Sequence, residues 1–135
     1  MEGIFTKAGV EKLGLALNAV GAKNRVISEN IANIDTPGYK AKDLKFHDVM
    51  NEYLGEGKKL PLANTNEKHL PPKTRVVSAE DFVYQQNNPS VRNDGNDVNV
   101  DYEMSQLAES NVRYQMLSQM TAGKFAKLKT AITGR

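Results

Sequence analysis

Apolar residues recur at helical spacing along the first third of the chain. Val10, Leu13, Leu17, Val20, Asn24, Ile27, Ile31 and Ile34 step alternately by three and four, and only Asn24 among them is polar. A repeat averaging 3.5 residues marks a helix that packs along one seam, as in a coiled coil. It predicts a helix over residues 10–34, roughly 37 Å long at 1.5 Å rise per residue. Thr36-Pro37-Gly38 ends it, because proline and glycine suit the two central positions of a type II turn. The last third repeats the pattern with Val100, Met104, Leu107, Asn111, Tyr114, Ser118, Thr121, Phe125, Leu128 and Ile132. Asp97 or Asn99 can cap this second helix. Early Asp101, Glu103 and Glu109 and late Lys124, Lys127 and Lys129 complement its dipole over residues 98–133.

All five prolines lie between Pro37 and Pro89, so the middle of the chain is broken where its ends are not. Within it, Phe46, Val49, Met50, Tyr53 and Leu54 predict one short amphipathic helix. Thr74-Arg75-Val76-Val77 and Phe82-Val83-Tyr84 predict short strands. The expected architecture is mostly α. Two long terminal helices, residues 1–34 and 98–135, pair as an antiparallel coiled coil and form one packing unit around an irregular middle segment, residues 35–97.

Each long helix carries a second apolar stripe beside its seam: Leu15, Ala19, Ala22 and Val26 on the first, and Ala108, Val112, Met116 and Met120 on the second. Two helices packed on each other cover one stripe apiece, so the others need another covering. The polar middle segment holds little apolar material, which favours neighbouring copies over the chain folding back. Gly14, Gly21 and Ser28, seven apart, predict a groove for the close approach of another helix. Doubling the chain back with Ile34 near Val100 and Leu13 near Thr121 brings Asn24 and Asn111 within about one layer, where buried asparagines could set register. The expected helix-pair and subunit interface is Leu13, Leu15, Leu17, Val20, Asn24, Ile27 and Ile31 on one side. On the other it is Met104, Leu107, Asn111, Tyr114, Met116, Leu117, Phe125, Leu128 and Ile132.

Composition narrows the function classes. The chain of 135 residues has no cysteine, which excludes disulfide scaffolds, thiolate metal sites and cysteine nucleophiles. A net charge of +2 without runs of basic residues gives no phosphate-tracking surface, so no nucleic-acid partner is expected. No apolar run approaches the ~18 residues that span a bilayer, and no cleavable signal peptide or membrane insertion is expected. His47 and His69 lack metal-ligand spacing. The stretch Asn93-Asp94-Gly95-Asn96-Asp97 invites a calcium-loop reading, but aligning Gly95 with the loop glycine puts Arg92 in a ligand position. No phosphate-cradling glycine loop or nucleophile elbow is present. The expectation is a chain with no catalytic residues, cofactor or metal.

One stretch is more specific: Ser28-Glu29-Asn30-Ile31-Ala32-Asn33-Ile34-Asp35-Thr36-Pro37-Gly38-Tyr39-Lys40-Ala41. It resembles the signature of bacterial flagellar rod, hook and hook-associated axial proteins, an N-I-A-N core followed by T-P-G-Y. Asn99 to Met104, continuing to Tyr114-Gln115, resembles the matching C-terminal end of that family, and the short chain resembles its proximal rod members. The resemblance implies a structural subunit that polymerises through its terminal helices into the hollow driveshaft between membrane ring and hook. It implies as partners other copies of itself, neighbouring rod proteins such as FlgC, the FliE adaptor and MS-ring at the rod base, and the flagellar type III export apparatus. It implies a location in the basal body, reached through export without a cleaved signal. Asn30, Asn33, Thr36, Pro37, Gly38 and Tyr39 carry the motif, with the implied task of ending the helix and aiming the middle segment at a neighbour. The competing expectation is a free-standing helical adaptor or export chaperone that binds a partner's amphipathic helix.

Overall fold

A computed structural model describes residues 9–54, 78–86 and 92–134. Helix α1 spans Val10–Ala32 and helix α3 spans Val100–Thr133, with a short helix α2, Phe46–Leu54, between them. Strand β1, Lys42–Leu44, pairs antiparallel with strand β2, Val83–Gln85, in the register Lys42 to Gln85, Asp43 to Tyr84 and Leu44 to Val83. A 3-10 turn, Ala79–Phe82, leads into β2. Its start is a capping box, with the Ser78 hydroxyl accepting from the Glu80 N–H and the Asp81 carboxylate accepting from the Ser78 N–H.

The helix pair is antiparallel. Asn30 of α1 meets Glu103 of α3, and Val20 and Lys23 lie opposite Gln106, Ser110 and Arg113. Helix α1 ends at Ala32 rather than Ile34, because Asn33 N–H already bonds back to Glu29 and Asn30 carbonyls and the chain then turns. Asn99 caps α3, its side chain accepting from the Tyr102 N–H at 3.2 Å. Asp97 does not cap; it accepts from the Ala41 N–H at 2.6 Å instead.

The covering of α1 differs from the expectation that neighbouring chains bury its second stripe. Ala19 and Ala22 are buried in a cluster with Leu44, Val49 and Ala79, and Phe46, Met50, Tyr53, Phe82 and Val83 pack against it. Val26 is buried as well. The middle segment therefore folds back on α1. Alanines explain how so few apolar residues suffice: they let β1 and α2 approach the α1 backbone closely, so little volume needs filling. The predicted short helix is α2, and β2 lies one residue beyond the predicted 82–84; residues 74–77 fall outside the described part.

Val49 has no exposed surface and closes this cluster from α2. Val49→Ala is expected to lower stability by about 2 kcal/mol through lost burial and a residual void. Urea denaturation followed by circular dichroism checks this; an unchanged midpoint would mean the middle segment contributes nothing to the fold.

Candidate functional site

The motif residues build a knuckle centred on Asn30, whose side chain is fully buried. An asparagine amide offers two N–H donors and an oxygen with two lone pairs, and here all four are used. Nδ2 donates to the Lys42 carbonyl at 2.7 Å and to Glu103 Oε1 at 3.0 Å. Oδ1 accepts from the Lys42 N–H at 2.9 Å and from the Tyr39 hydroxyl at 3.3 Å. One side chain on α1 thus pairs with β1 as another strand would, holds the motif tyrosine, and reaches α3.

The turn beyond α1 is locked from the other end of the sequence. Tyr39 N–H bonds to the Thr36 carbonyl, closing a turn with Pro37 and Gly38 at its centre; Gly38 has φ 72°, a conformation glycine adopts without a steric penalty. Asn33 Nδ2 donates to the Glu29 carbonyl, and Asn33 Oδ1 accepts from the Thr36 hydroxyl. Fully buried Asn96 then caps the helix end from outside. Its Nδ2 donates to the carbonyls of Asn33, Ile34 and Thr36 at 2.9 to 3.0 Å, and its Oδ1 accepts from the Val98 N–H. Arg92 adds a bond to the Ile34 carbonyl. Carbonyls left over at a helix end need such partners when water is excluded. Gly38 N–H bonds to the Asp94 carbonyl, and Lys40 Nζ reaches the Gly95 carbonyl and lies 3.8 Å from Asp97 Oδ2.

Glu103 is a buried carboxyl of the site, at 2% exposure. Burial pushes its carboxyl above the ordinary glutamate value of 4.5; the Asn30 hydrogen bond opposes this, Asp43 reinforces it and Lys23 opposes it. Lys23 and Asp43 form an ion pair beside it that joins α1 to β1. Burial likewise raises Tyr39. Asn96, Glu103, Arg92, Asp97, Lys23 and Asp43 were not singled out as site residues by sequence reasoning. The run at 93–97 reads locally as a turn preceding α3, and nothing local says that its Asn96 serves the end of α1 instead. Glu103 reads as a favourable acid in the first turn of a helix, with no local sign of burial.

The expected interface residues divide clearly. Val20 and Ile27 are buried, while Leu13, Leu15, Leu17, Asn24 and Ile31 are half-buried. On α3 only Leu107, Leu117 and Leu128 are half-buried, and Met104, Asn111, Tyr114, Met116, Phe125 and Ile132 are exposed. The strip that α3 turns to α1 in its first half holds Glu103, Gln106, Leu107 and Ser110 instead. Glu103, Gln106 and Ser110 each lie one residue before an expected seam position while Leu107 belongs to both strips, so the helix is turned by less than the ~100° that separates neighbouring residues. On that strip Glu103 accepts the hydrogen bond from Asn30. Asn24 and Asn111 accordingly share no buried layer. The second stripe of α3, Ala108, Val112, Met116 and Met120, is exposed throughout. A side chain added at Gly14 or Gly21 would meet no described atom within 4 Å, so among the described residues no other helix approaches α1 there. Among the described residues no group of three or more His, Asp or Glu could hold a metal ion, and no helix is long and apolar enough to cross a membrane.

Asn30→Ala strands the Lys42 N–H and carbonyl and leaves Glu103 without its donor. A loss on the order of 3 kcal/mol is expected; a chemical denaturation midpoint within error of wild type would dismiss the knuckle as an organising centre. Glu103→Gln keeps an acceptor for Asn30 but removes the charge. Folded Glu103 holds its proton to higher pH than the unfolded chain does, so folding takes up protons between the two pKa values. Wild-type stability therefore falls as pH rises through that window and is highest below it. The variant is expected to be the more stable at pH 7, with the gap closing as pH falls through the raised Glu103 pKa toward the ordinary value of 4.5. Thermal melts across pH 4 to 8 read this, and a variant less stable at pH 7 contradicts it.

A family model described as "Flagella basal body rod protein" matches residues 15–40, which hold the second half of α1, the turn and Tyr39. The chain is 38% identical over 130 residues to the flagellar basal body rod protein FlgB of Bacillus subtilis, with 93% of each chain covered. It is 34% identical over 106 residues to FlgB of Salmonella typhimurium, covering 75% of each. To FlgB of Aeromonas hydrophila it is 33% identical over 133 residues, covering 96% of each. The Bacillus and Aeromonas relatives align along nearly the whole chain, and the chain belongs to the flagellar basal body rod protein family.

Proposed function

We propose that this chain is a structural subunit of the proximal rod, polymerising through its two terminal helices into the hollow shaft that carries torque from the membrane ring to the hook. The observation that carries this reading is the amount of apolar surface α3 leaves uncovered. Met104, Val112, Tyr114, Met116, Met120, Phe125 and Ile132 are all exposed, Met116 at 60% and Ile132 at 76%. An exposed apolar surface spread along a 34-residue helix marks an interaction surface. The middle segment folds onto α1, and among the described residues nothing buries these seven side chains of α3. The strong likeness to three rod proteins along most of the chain supports the same reading.

On this reading the partners are other copies of the chain, a neighbouring rod protein of the FlgC kind, the FliE adaptor and MS-ring at the rod base, and the type III export apparatus. The subunit works in the periplasmic part of the basal body and reaches it without a cleaved signal peptide. Its residues 1–34 and 98–135 act as one packing unit, and the knuckle at 30–39 aims the middle segment at a neighbour. No catalytic step is assigned to it.

Met116→Asp places a carboxylate on the exposed stripe, where the isolated chain leaves it in water and the assembly would bury it unpaired. Normal melting of the isolated protein is expected together with loss of swimming and of complete basal bodies. A cryo-electron microscopy map of basal bodies locates the chain directly. Density for both helices lining the rod is the expected result; axial density fully explained by other chains would replace the rod reading with that of a helical adaptor.

A further inference from the structure

We infer that Glu103 is a positioning residue that selects which face of α3 meets α1, holding a polar face inward and thereby keeping an apolar face available. The observed orientation runs against side-chain hydrophobicity. Helix α3 turns Glu103, Gln106 and Ser110 toward α1 while Val100, Met104 and Tyr114, spaced like a coiled-coil seam with Leu107 between them, stay at the side. Rotating α3 by about 100° would exchange these strips, since neighbouring residues on a helix differ by that angle. The rotated pair would turn Met104 inward near the level of Ile27 and Tyr114 near that of Val20, a more apolar contact over this first half of α3 than Glu103, Gln106 and Ser110 make.

Asn30 opposes the rotation. Its amide sits with no exposure among four partners, and three of them belong to β1 and Tyr39, which the knuckle fixes independently of α3. The fourth is Glu103 Oε1. Rotating α3 would withdraw that acceptor and leave a buried N–H unpaired, an outcome folded chains avoid. Ser110, buried one heptad along the same strip, is small enough to let the helices approach without competing for the position. A polar contact of this kind sets register at a cost in stability, as single buried polar residues do in coiled coils.

The consequence for assembly rests on the rod-subunit reading: Met104 and Tyr114 stay at the surface for a neighbouring helix instead of being used up within the chain. The choice of face is tested on the isolated chain, so the two claims fail separately.

The absence of native cysteine makes the test direct. Ser110 is buried and Asn111 exposed in the observed orientation. Single-thiol chains carrying Ser110→Cys or Asn111→Cys are reacted with a disulfide reagent at a concentration where the chain is monomeric. Fast reaction at position 111 and slow reaction at 110 is expected with Glu103 in place. Adding Glu103→Leu is expected to reverse that order, and Glu103→Gln, which keeps the acceptor, to preserve it. An unchanged order in a helical Glu103→Leu chain overturns the inference. Loss of helix with both thiols fast also overturns it, because Glu103 would then stabilise the pair without choosing its face.

Discussion

A buried primary amide has to satisfy four hydrogen-bonding positions at once, and the geometry around Asn30 is the solution to that requirement. Two positions go to the backbone of Lys42, which places β1 alongside α1 although the strand has only three residues. Another goes to Tyr39 and so sets the path of the chain after the turn. The last reaches across to Glu103 and orients α3. Because each bond is made inside the protein, where an unmade one is costly, the four elements are positioned together.

Asn96 answers a related demand from the opposite side. The carbonyls at the end of α1 point into a region that the chain itself fills, and one buried amide takes three of them. Asn30 and Asn96 therefore join the segment after α1 to the segment before α3. Residues far apart in sequence close into one knuckle at the end of the helix pair. The Gly38 and Gly95 backbones come close there, with a side chain at Gly95 placed 3.7 Å from Gly38 Cα. Such a junction lets the middle segment leave and return at one point without loosening the pair.

Most of the backbone pattern was legible in sequence because it depends on local signals: heptad spacing for α1 and α3, amphipathic spacing for α2, and a proline–glycine turn. The motif, too, was visible as a family resemblance around Asn30 and Gly38. What could not be read were the decisions made by long-range polar contacts. Lys42-Asp43-Leu44 has no strand signal, since its pairing is imposed by the Asn30 side chain and by β2. In its first half α3 turns Glu103, Gln106 and Ser110 inward beside Leu107, where periodicity, which weighs apolar positions, expects Met104 and Tyr114; farther along, Ser118, Thr121 and Leu128 of the expected seam are half-buried. The covering of α1 was assigned to neighbours because counting apolar residues ignores how closely alanines allow packing, and Ala19 and Ala22 make a small cluster sufficient.

These two departures have a common sense for a subunit that must fold little by itself and much in an assembly. Helix α1 is anchored by its own chain through alanines and a saturated amide. It gives each copy a defined knuckle and a fixed direction for α3. Helix α3, with Glu103, Gln106 and Ser110 inward beside half-buried Leu107 and many of its apolar side chains outward, gains less from the isolated fold than a fully apolar face would give it. The same residues that would stabilise a lone chain are left for the next one. On the rod-subunit reading, burial of these exposed side chains against neighbours would add to α3 the stabilisation that its own chain leaves out.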